Sequence, residues 1–211
     1  PKDASDSGCG KLEDAGGLQA FVDECVETLR AAGKVPAGAK PRNIILSGHS
    51  GAYKVIGACL KHGGMENSIR EVWLWDATYG QLEEFAAWLG RYRLTEETVR
   101  ATMPAEIPGS GIPETYTPPA PLPAQGPERR LFSIFTAHLA PENAELMTRL
   151  TLLGVPYELY LDKDFDTAIR SAAPARFVHT QFAHNAVMTR QDGLQKALQA
   201  SPFLDPLPEL K

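Results

Sequence analysis

Gly48-His49-Ser50-Gly51-Ala52 carries the chain's clearest chemical signal: a serine among small residues, where one apolar run ends and a second, with a different period, begins. The pattern fits G-x-S-x-G except that Ala52 stands at the last glycine. A strand that turns straight into a helix holds its central residue in strained backbone geometry, so the neighbours must be small. The strain lifts the hydroxyl clear of the sheet. The helix start behind it offers backbone N–H groups to a developing oxyanion, and Gly51 N–H is the first such donor. The competing reading is a tight strand-to-helix turn that merely needs a small residue at Ser50.

A serine hydroxyl needs a base, and the base needs an orienting group. In hydrolases built on such a turn, the chain order is Ser, acid, His. The late stretch Phe177-Val178-His179-Thr180-Gln181-Phe182-Ala183-His184-Asn185 offers two imidazoles. His184 is the expected base, because it lies on a loop long enough to bend over a sheet edge. His179, nearer the strand-like Phe177-Val178, is its rival and the better candidate for a packed side chain. Asp76, directly after Glu71-Val72-Trp73-Leu74-Trp75, is the expected acid, since a carboxylate at a strand exit can accept the imidazole Nδ1–H. Glu142 is an alternative in the first turn of a helix, where carboxylates are common for dipole reasons alone. Asp162, Asp164 and Asp166 are further alternatives, read first as solvated charge. His49, Trp75 and Tyr79 are candidates for lining a substrate pocket, with Trp88 beside them; for the aromatic residues a place in the core competes with that role. A metal hydrolase using His49, His138, His184 and Asp76 is disfavoured, because no H-x-x-x-H or similar spacing is present. No metal and no cofactor are expected.

The elements that must position these residues follow from periodicity. Leu18, Phe21, Val22, Cys25, Val26 and Leu29 recur at helical spacing, and Gly33 and Pro36 end that run. Asn43 to Leu46 is a short aliphatic strand without polar alternation, expected to be buried on both faces as in a parallel sheet. Helical spacing returns from Tyr53 to His62. Glu71 to Trp75 is the next strand, Leu82 to Leu89 a helix, and Thr95 to Ala101 a possible second one. Prolines crowd the segment 104–128, which excludes a regular helix or inner strand and suggests a surface loop or an inserted lid. Arg130 to Thr136 is a third strand and Pro141 to Leu153 a helix with proline at a favoured first position. Tyr157 to Leu161 is a fourth strand. A helical turn near Asp166 to Ala172, the strand-like Arg176 to His179, and a helix from Asp192 to Leu198 complete the pattern. Alternating strands and helices predict an α/β fold, a mainly parallel sheet with helices on both faces. Ligands in such sheets bind at the C-terminal edge of the strands, where Ser50, Asp76, His138 and His184 fall.

The totals narrow the function classes. The 211 residues suit one domain, and a net charge of −5 without any basic block gives no electrostatic argument for nucleic acid or an anionic membrane. No apolar run reaches the roughly 18 residues a membrane helix requires. The three cysteines, Cys9, Cys25 and Cys59, are far apart and form no C-x-x-C, so buried or free thiols are expected rather than a zinc or redox site. A chain opening on Pro1 instead of methionine is expected to be processed or part of a longer polypeptide.

These residues resemble the α/β-hydrolase family, most closely at Ser47-Gly48-His49-Ser50-Gly51-Ala52 and also at the Asp76 strand exit and His184-Asn185. The chain is also similar to bacterial hydrolase-like proteins with a D-S-x-x-G-K-L loop before the elbow and D-A-x-Y-G after the next strand. Here those read Asp6-Ser7-Gly8-Cys9-Gly10-Lys11-Leu12 and Asp76-Ala77-Thr78-Tyr79-Gly80. The resemblance implies a Ser50–His184–Asp76 triad transferring an acyl group from an ester or amide to water. The alternative is a binding module of the same fold that does not catalyse. The resemblance further implies that residues 1–211 form one partial domain lacking the family's N-terminal strands, so that the four strands are the nucleophile strand and the three after it. A companion N-terminal segment or chain would then complete the sheet and supply the second oxyanion donor. The family's commonest acid position is one strand later than Asp76, and the position taken here is a known variant.

Overall fold

The computed structural model describes residues 10–90, 105–106, 113–115, 129–189 and 192–204. The chain enters through α1 (Gly17–Ala31), then runs β1 (Ile44–His49), α2 (Tyr53–His62), β2 (Ile69–Trp75) and α3 (Leu82–Gly90). Two short strands, β3 (Ala105–Glu106) and β4 (Pro113–Thr115), pair antiparallel with each other. They are the described part of the proline-rich segment; its remainder and the helix expected near Thr95 to Ala101 lie outside the described residues. The chain continues through β5 (Arg130–Phe135), α4 (Ala140–Leu152), β6 (Tyr157–Leu161), α5 (Phe165–Arg170), β7 (Ala175–His179) and α6 (Gly193–Ala200).

Among the described residues the main sheet has five strands, all parallel, in the order β1-β2-β5-β7-β6. Side-chain alternation along β2 shows how it is sandwiched. Val72 and Leu74 face one core and Trp73 and Trp75 the other, and all four are buried. The first core takes Leu18 of α1, Ile56 and Leu60 of α2, Phe85 and Trp88 of α3, and Leu146 and Leu150 of α4. The second takes Phe165 and Ile169 of α5 and Ala197 of α6.

The direction of travel explains this division. The connections from β1 to β2, β2 to β5 and β5 to β6 all advance across the sheet. From β6 to β7 the chain steps back. Parallel crossovers are right-handed, so a backward step must use the opposite face, and α5, which makes that step, packs there. Arg176 to His179, expected only as a strand-like segment, is therefore the body of an inner strand, whereas the expected fourth strand Tyr157 to Leu161 lies at the far edge.

The expectation that the serine's strand is buried on both faces is corrected. β1 is an edge strand with β2 as its neighbour; Ile44, Ile45 and Leu46 are half-buried and Ser47 is exposed. An apolar strand needs two neighbours to be covered, and among the described residues it has one. Ser47 nonetheless ties the edge down, its Oγ accepting the indole N–H of Trp75 at 2.9 Å.

At the opposite end of the strands from the serine lies a buried charge cluster. Glu71 of β2 faces Arg176 of β7 at 3.3 Å and Arg130 of β5 at 3.6 Å, and its other oxygen accepts the Ser201 hydroxyl. All four residues are buried. Arg176 also donates to the Ile169 carbonyl at 3.0 Å and lies over the Phe132 ring. Burial, with Arg130 beside it, lowers the Arg176 pKa to about 9, which leaves it charged at neutral pH. One carboxylate thus balances guanidinium groups from two other strands. Removing one member of such a buried set strands the others, at a cost of about 3–5 kcal/mol. Glu71→Ala is expected to lower the melting temperature by roughly 6–20 °C, since each kcal/mol is worth roughly 2–4 °C at this size; a calorimetric scan checks it.

Candidate active site

The turn after β1 has the geometry that its small residues suggest. Ser50 sits in the left-handed region at φ 55°, between β1 and a 3-10 turn, Ser50–Ala52, that runs directly into α2. A non-glycine residue there is strained and persists only when its surroundings hold it. Those surroundings leave no room: a Cβ on Gly48 would lie 2.5 Å from Ala52 Cβ and 2.8 Å from Ile56 Cδ1. The methyl group at Ala52 is accommodated because Gly48 has none.

Asp76 lies at the end of β2 and is also left-handed, at φ 46°. Its backbone N–H still reaches across to the Ile134 carbonyl at 2.7 Å. Its carboxylate is 1% exposed and accepts three hydrogen bonds. Thr136, at the exit of β5, donates its backbone N–H to Oδ1 at 2.8 Å and its hydroxyl to Oδ2 at 3.1 Å. His184 Nδ1 donates to Oδ2 at 2.6 Å. An ionised carboxylate can only accept, so the proton of this last bond is on Nδ1 and the His184 Nε2 lone pair is left to receive a proton. The His184 side chain is 34% exposed: the carboxylate is sealed and the imidazole is reachable.

His179 has a different place. Its ring stacks on Phe135 at 5.3 Å, its Nε2 is buried without a hydrogen-bond partner among the described residues, and it ends β7. The chain then leaves the sheet. Thr180 N–H donates to the Phe135 carbonyl at 2.9 Å and Gln181 N–H to Asp162 Oδ2 at 2.7 Å. Asp162 therefore starts the loop that brings His184 back, and does not itself orient an imidazole. Glu142 is in the first turn of α4, and the partner of His184 Nδ1 is Asp76.

His49 also touches this loop. Its Nε2 lies 2.9 Å from the His184 carbonyl; a carbonyl accepts, so His49 carries its proton on Nε2. The two imidazoles approach to 4.4 Å between ring centres. Tyr79 joins the two sides. Its ring meets His184 edge-on at 6.3 Å and lies 5.9 Å from the Tyr53 ring at the start of α2. Trp75, by contrast, is fully buried against Phe132 in the second core, and Trp88 is buried in the first. His138 packs against Tyr79 at 5.9 Å.

Sequence reasoning missed Thr136 and a buried polar chain beneath the site. Thr78 Oγ1 meets Ser133 Oγ at 3.1 Å, Ser133 donates to Asn143 Oδ1 at 2.8 Å, and Asn143 donates to the Leu139 carbonyl at 2.8 Å. It fixes the Asp76–Gly80 turn against β5 and the start of α4. A polar residue inside an apolar strand, Ser133 within Leu131-Phe132-Ser133-Ile134, was the one signal available.

Among the described residues, no group of three or more His, Cys, Asp or Glu side chains could hold a metal ion, and no helix is long and apolar enough to cross a membrane. Cys25 is exposed, and Cys59 is buried with its thiol 3.7 Å from the Leu12 carbonyl; Cys9 lies outside the described residues. In comparisons with known proteins, the chain matches no family model, no curated protein and no solved structure.

Burial lowers the His179 pKa below its ordinary 6.5, and Asp162 only partly offsets this. Below pH 6.5 the unfolded chain therefore binds a proton that the folded chain refuses, and stability falls as pH drops toward the depressed value. His179→Phe keeps a ring on Phe135 and removes the titration. Urea unfolding between pH 7 and pH 5 is expected to show a shallower stability loss in this variant than in the parent.

Proposed function

We propose that this chain is a serine hydrolase of the α/β-hydrolase kind, acting on ester or amide bonds through Ser50, His184 and Asp76. The observation that carries the reading is the 2.6 Å bond between His184 Nδ1 and the buried Asp76 carboxylate, at the same sheet edge as a serine held at φ 55°. A merely structural turn has no need of a left-handed serine, and a merely structural histidine has no need of a sealed carboxylate.

The mechanism follows from the proton positions. His184 Nε2 takes the Ser50 proton as Ser50 Oγ attacks the carbonyl carbon, and the imidazolium that forms is stabilised by Asp76. The carbonyl oxygen becomes an oxyanion beside Gly51 N–H, at the start of the turn into α2. His184 then gives its proton to the leaving alcohol or amine, and the acyl group stays on Ser50. Water attacks the acyl-enzyme with His184 again as base, releasing the acid and restoring the serine.

His49 positions this machinery through the carbonyl of His184. The half-covered outer side of β1 is where a companion segment or chain would add strands. An apolar edge of this kind otherwise invites uncontrolled pairing.

A fluorophosphonate probe tests the proposal. Folded protein is expected to be labelled on Ser50, and Ser50→Ala to abolish labelling; an unlabelled folded parent would favour a non-catalytic binding module of the same architecture. Asp76→Asn keeps the shape but leaves His184 in the wrong tautomer. It is expected to lower kcat for p-nitrophenyl acetate by roughly 10⁴, measured by release of p-nitrophenolate.

A further inference from the structure

We propose that Thr136 is a positioning residue for the acid and base: its hydroxyl fixes the rotation of the Asp76 carboxylate, so that one defined oxygen, Oδ2, faces His184 Nδ1. This rests on the hydrolase reading above and adds a residue to it.

The need for such a group comes from torsion. The last side-chain torsion of an aspartate is broad and roughly two-fold, so nothing within Asp76 itself selects the plane of its carboxylate. Thr136 grips both oxygens at once. Its backbone N–H donates to Oδ1 at 2.8 Å and its hydroxyl to Oδ2 at 3.1 Å. Either bond alone leaves the group free to turn about the bonded oxygen; the two together define its plane. Oδ2, the oxygen that takes the hydroxyl, also accepts His184 Nδ1–H at 2.6 Å. The Asp76 side chain is 1% exposed, so water hardly competes for these lone pairs.

The direction of the hydroxyl is a second observation. Thr136 is extended, at φ −83° and ψ 169°, in the N-cap position of the 3-10 turn Ala137–Leu139. The turn closes with Leu139 N–H donating to the Thr136 carbonyl at 3.0 Å. A threonine at an N-cap ordinarily turns its side-chain oxygen to a backbone N–H just ahead. Thr136 makes no such cap. Its hydroxyl points sideways instead, to a carboxylate 60 positions away in the chain.

The third observation is place. Thr136 follows β5, which lies between β2, ending at Asp76, and β7, leading to the loop that carries His184. The two residues before it are tied to both sides. The Ile134 carbonyl accepts Asp76 N–H at 2.7 Å, and the Phe135 carbonyl accepts Thr180 N–H at 2.9 Å. Main-chain bonds therefore anchor the end of β5 to the acid's strand and to the base's loop. A change of the Thr136 side chain leaves those bonds in place, so the effect of the hydroxyl is separable from that of the fold.

Thr136→Val removes the hydroxyl and keeps the branched shape; Thr136→Ala removes it without crowding; Thr136→Ser retains it. All three keep the backbone N–H. They are compared with the parent by kcat and KM for p-nitrophenyl acetate, and by the low-field proton NMR signal of the His184 ring N–H, identified by its absence in His184→Gln. In the valine and alanine variants kcat is expected to fall by about 10–10², with KM little changed. Their ring N–H signal is expected to move upfield as the bond to Oδ2 loosens. The serine variant is expected to restore both. A valine or alanine variant with the parent's melting temperature and kcat within about threefold of the parent overturns the assignment. So does a kcat loss with the ring N–H signal unmoved, or one that the serine variant shares. A parent without Ser50-dependent turnover overturns the hydrolase reading itself. The ring N–H signal needs no substrate, and in that case it alone decides whether Thr136 holds Asp76 against His184: an upfield move supports the contact, and an unmoved signal overturns it.

Discussion

The Asp76 carboxylate is the contact on which the site depends. It closes the end of β2, accepts the backbone and the hydroxyl of Thr136 at the end of β5, and holds His184, which arrives from beyond β7. Segments far apart in the chain are thus fixed relative to one another by a single group that is almost wholly shielded from water. A buried carboxylate is costly unless its lone pairs are filled. Here the filling partners are the residues whose placement the proposed chemistry needs. The desolvation cost and the alignment of the imidazole are two consequences of one arrangement.

The left-handed backbone at Ser50 and Asp76 belongs to the same arrangement. Each follows the last residue of a parallel strand, and in each the chain turns at once, so that the side chain stands at the strand's end rather than on a face of the sheet. Asp76 does this while its N–H remains paired to Ile134. Aspartate visits this region more readily than most residues; serine has less intrinsic tolerance, and the tight fit of Gly48 against Ala52 and Ile56 holds it there. The stability that permits this strain is supplied elsewhere, by the two apolar layers and by the Glu71 cluster that ties β2, β5 and β7 together at their other ends.

How legible this was in the sequence depended on the range of the interaction. The elbow was legible because Gly48, Ser50 and Ala52 constrain one another within a single turn. Asp76 was legible because it ends an unbroken apolar run, and the α/β class because strand and helix periods alternate. The choice between His184 and His179 was not decided by local pattern. It follows from β7 being an inner strand: His179 is still part of it and stacks on Phe135, so only the residues after Thr180 are free to return over the edge. The return of β7 between β5 and β6 was hidden for the same reason, since each strand alone reads as a short apolar run. Thr136 and the Glu71–Arg176 pair were invisible because their partners are distant, 60 residues for Thr136 and 105 for Glu71.

The edge position of β1 gives Ser50 a setting unlike that of Asp76. Asp76 follows a strand covered on both sides, whereas Ser50 follows a strand with one described neighbour. The serine's strand is therefore held mainly by its pairing with β2, by the Trp75 indole on Ser47, and by α2 packing through Ile56 and Leu60. Its register with β2 runs without a break from Ile45 to His49, and that continuous stretch sets the height of Ser50 against Asp76. The bulge in β1 falls at its first step, between Ile44 and Ile45, at the end away from the serine. Irregularity is absorbed where it does not alter the distance between Ser50 and Asp76, and the regular part of the ladder is the part that leads into the site.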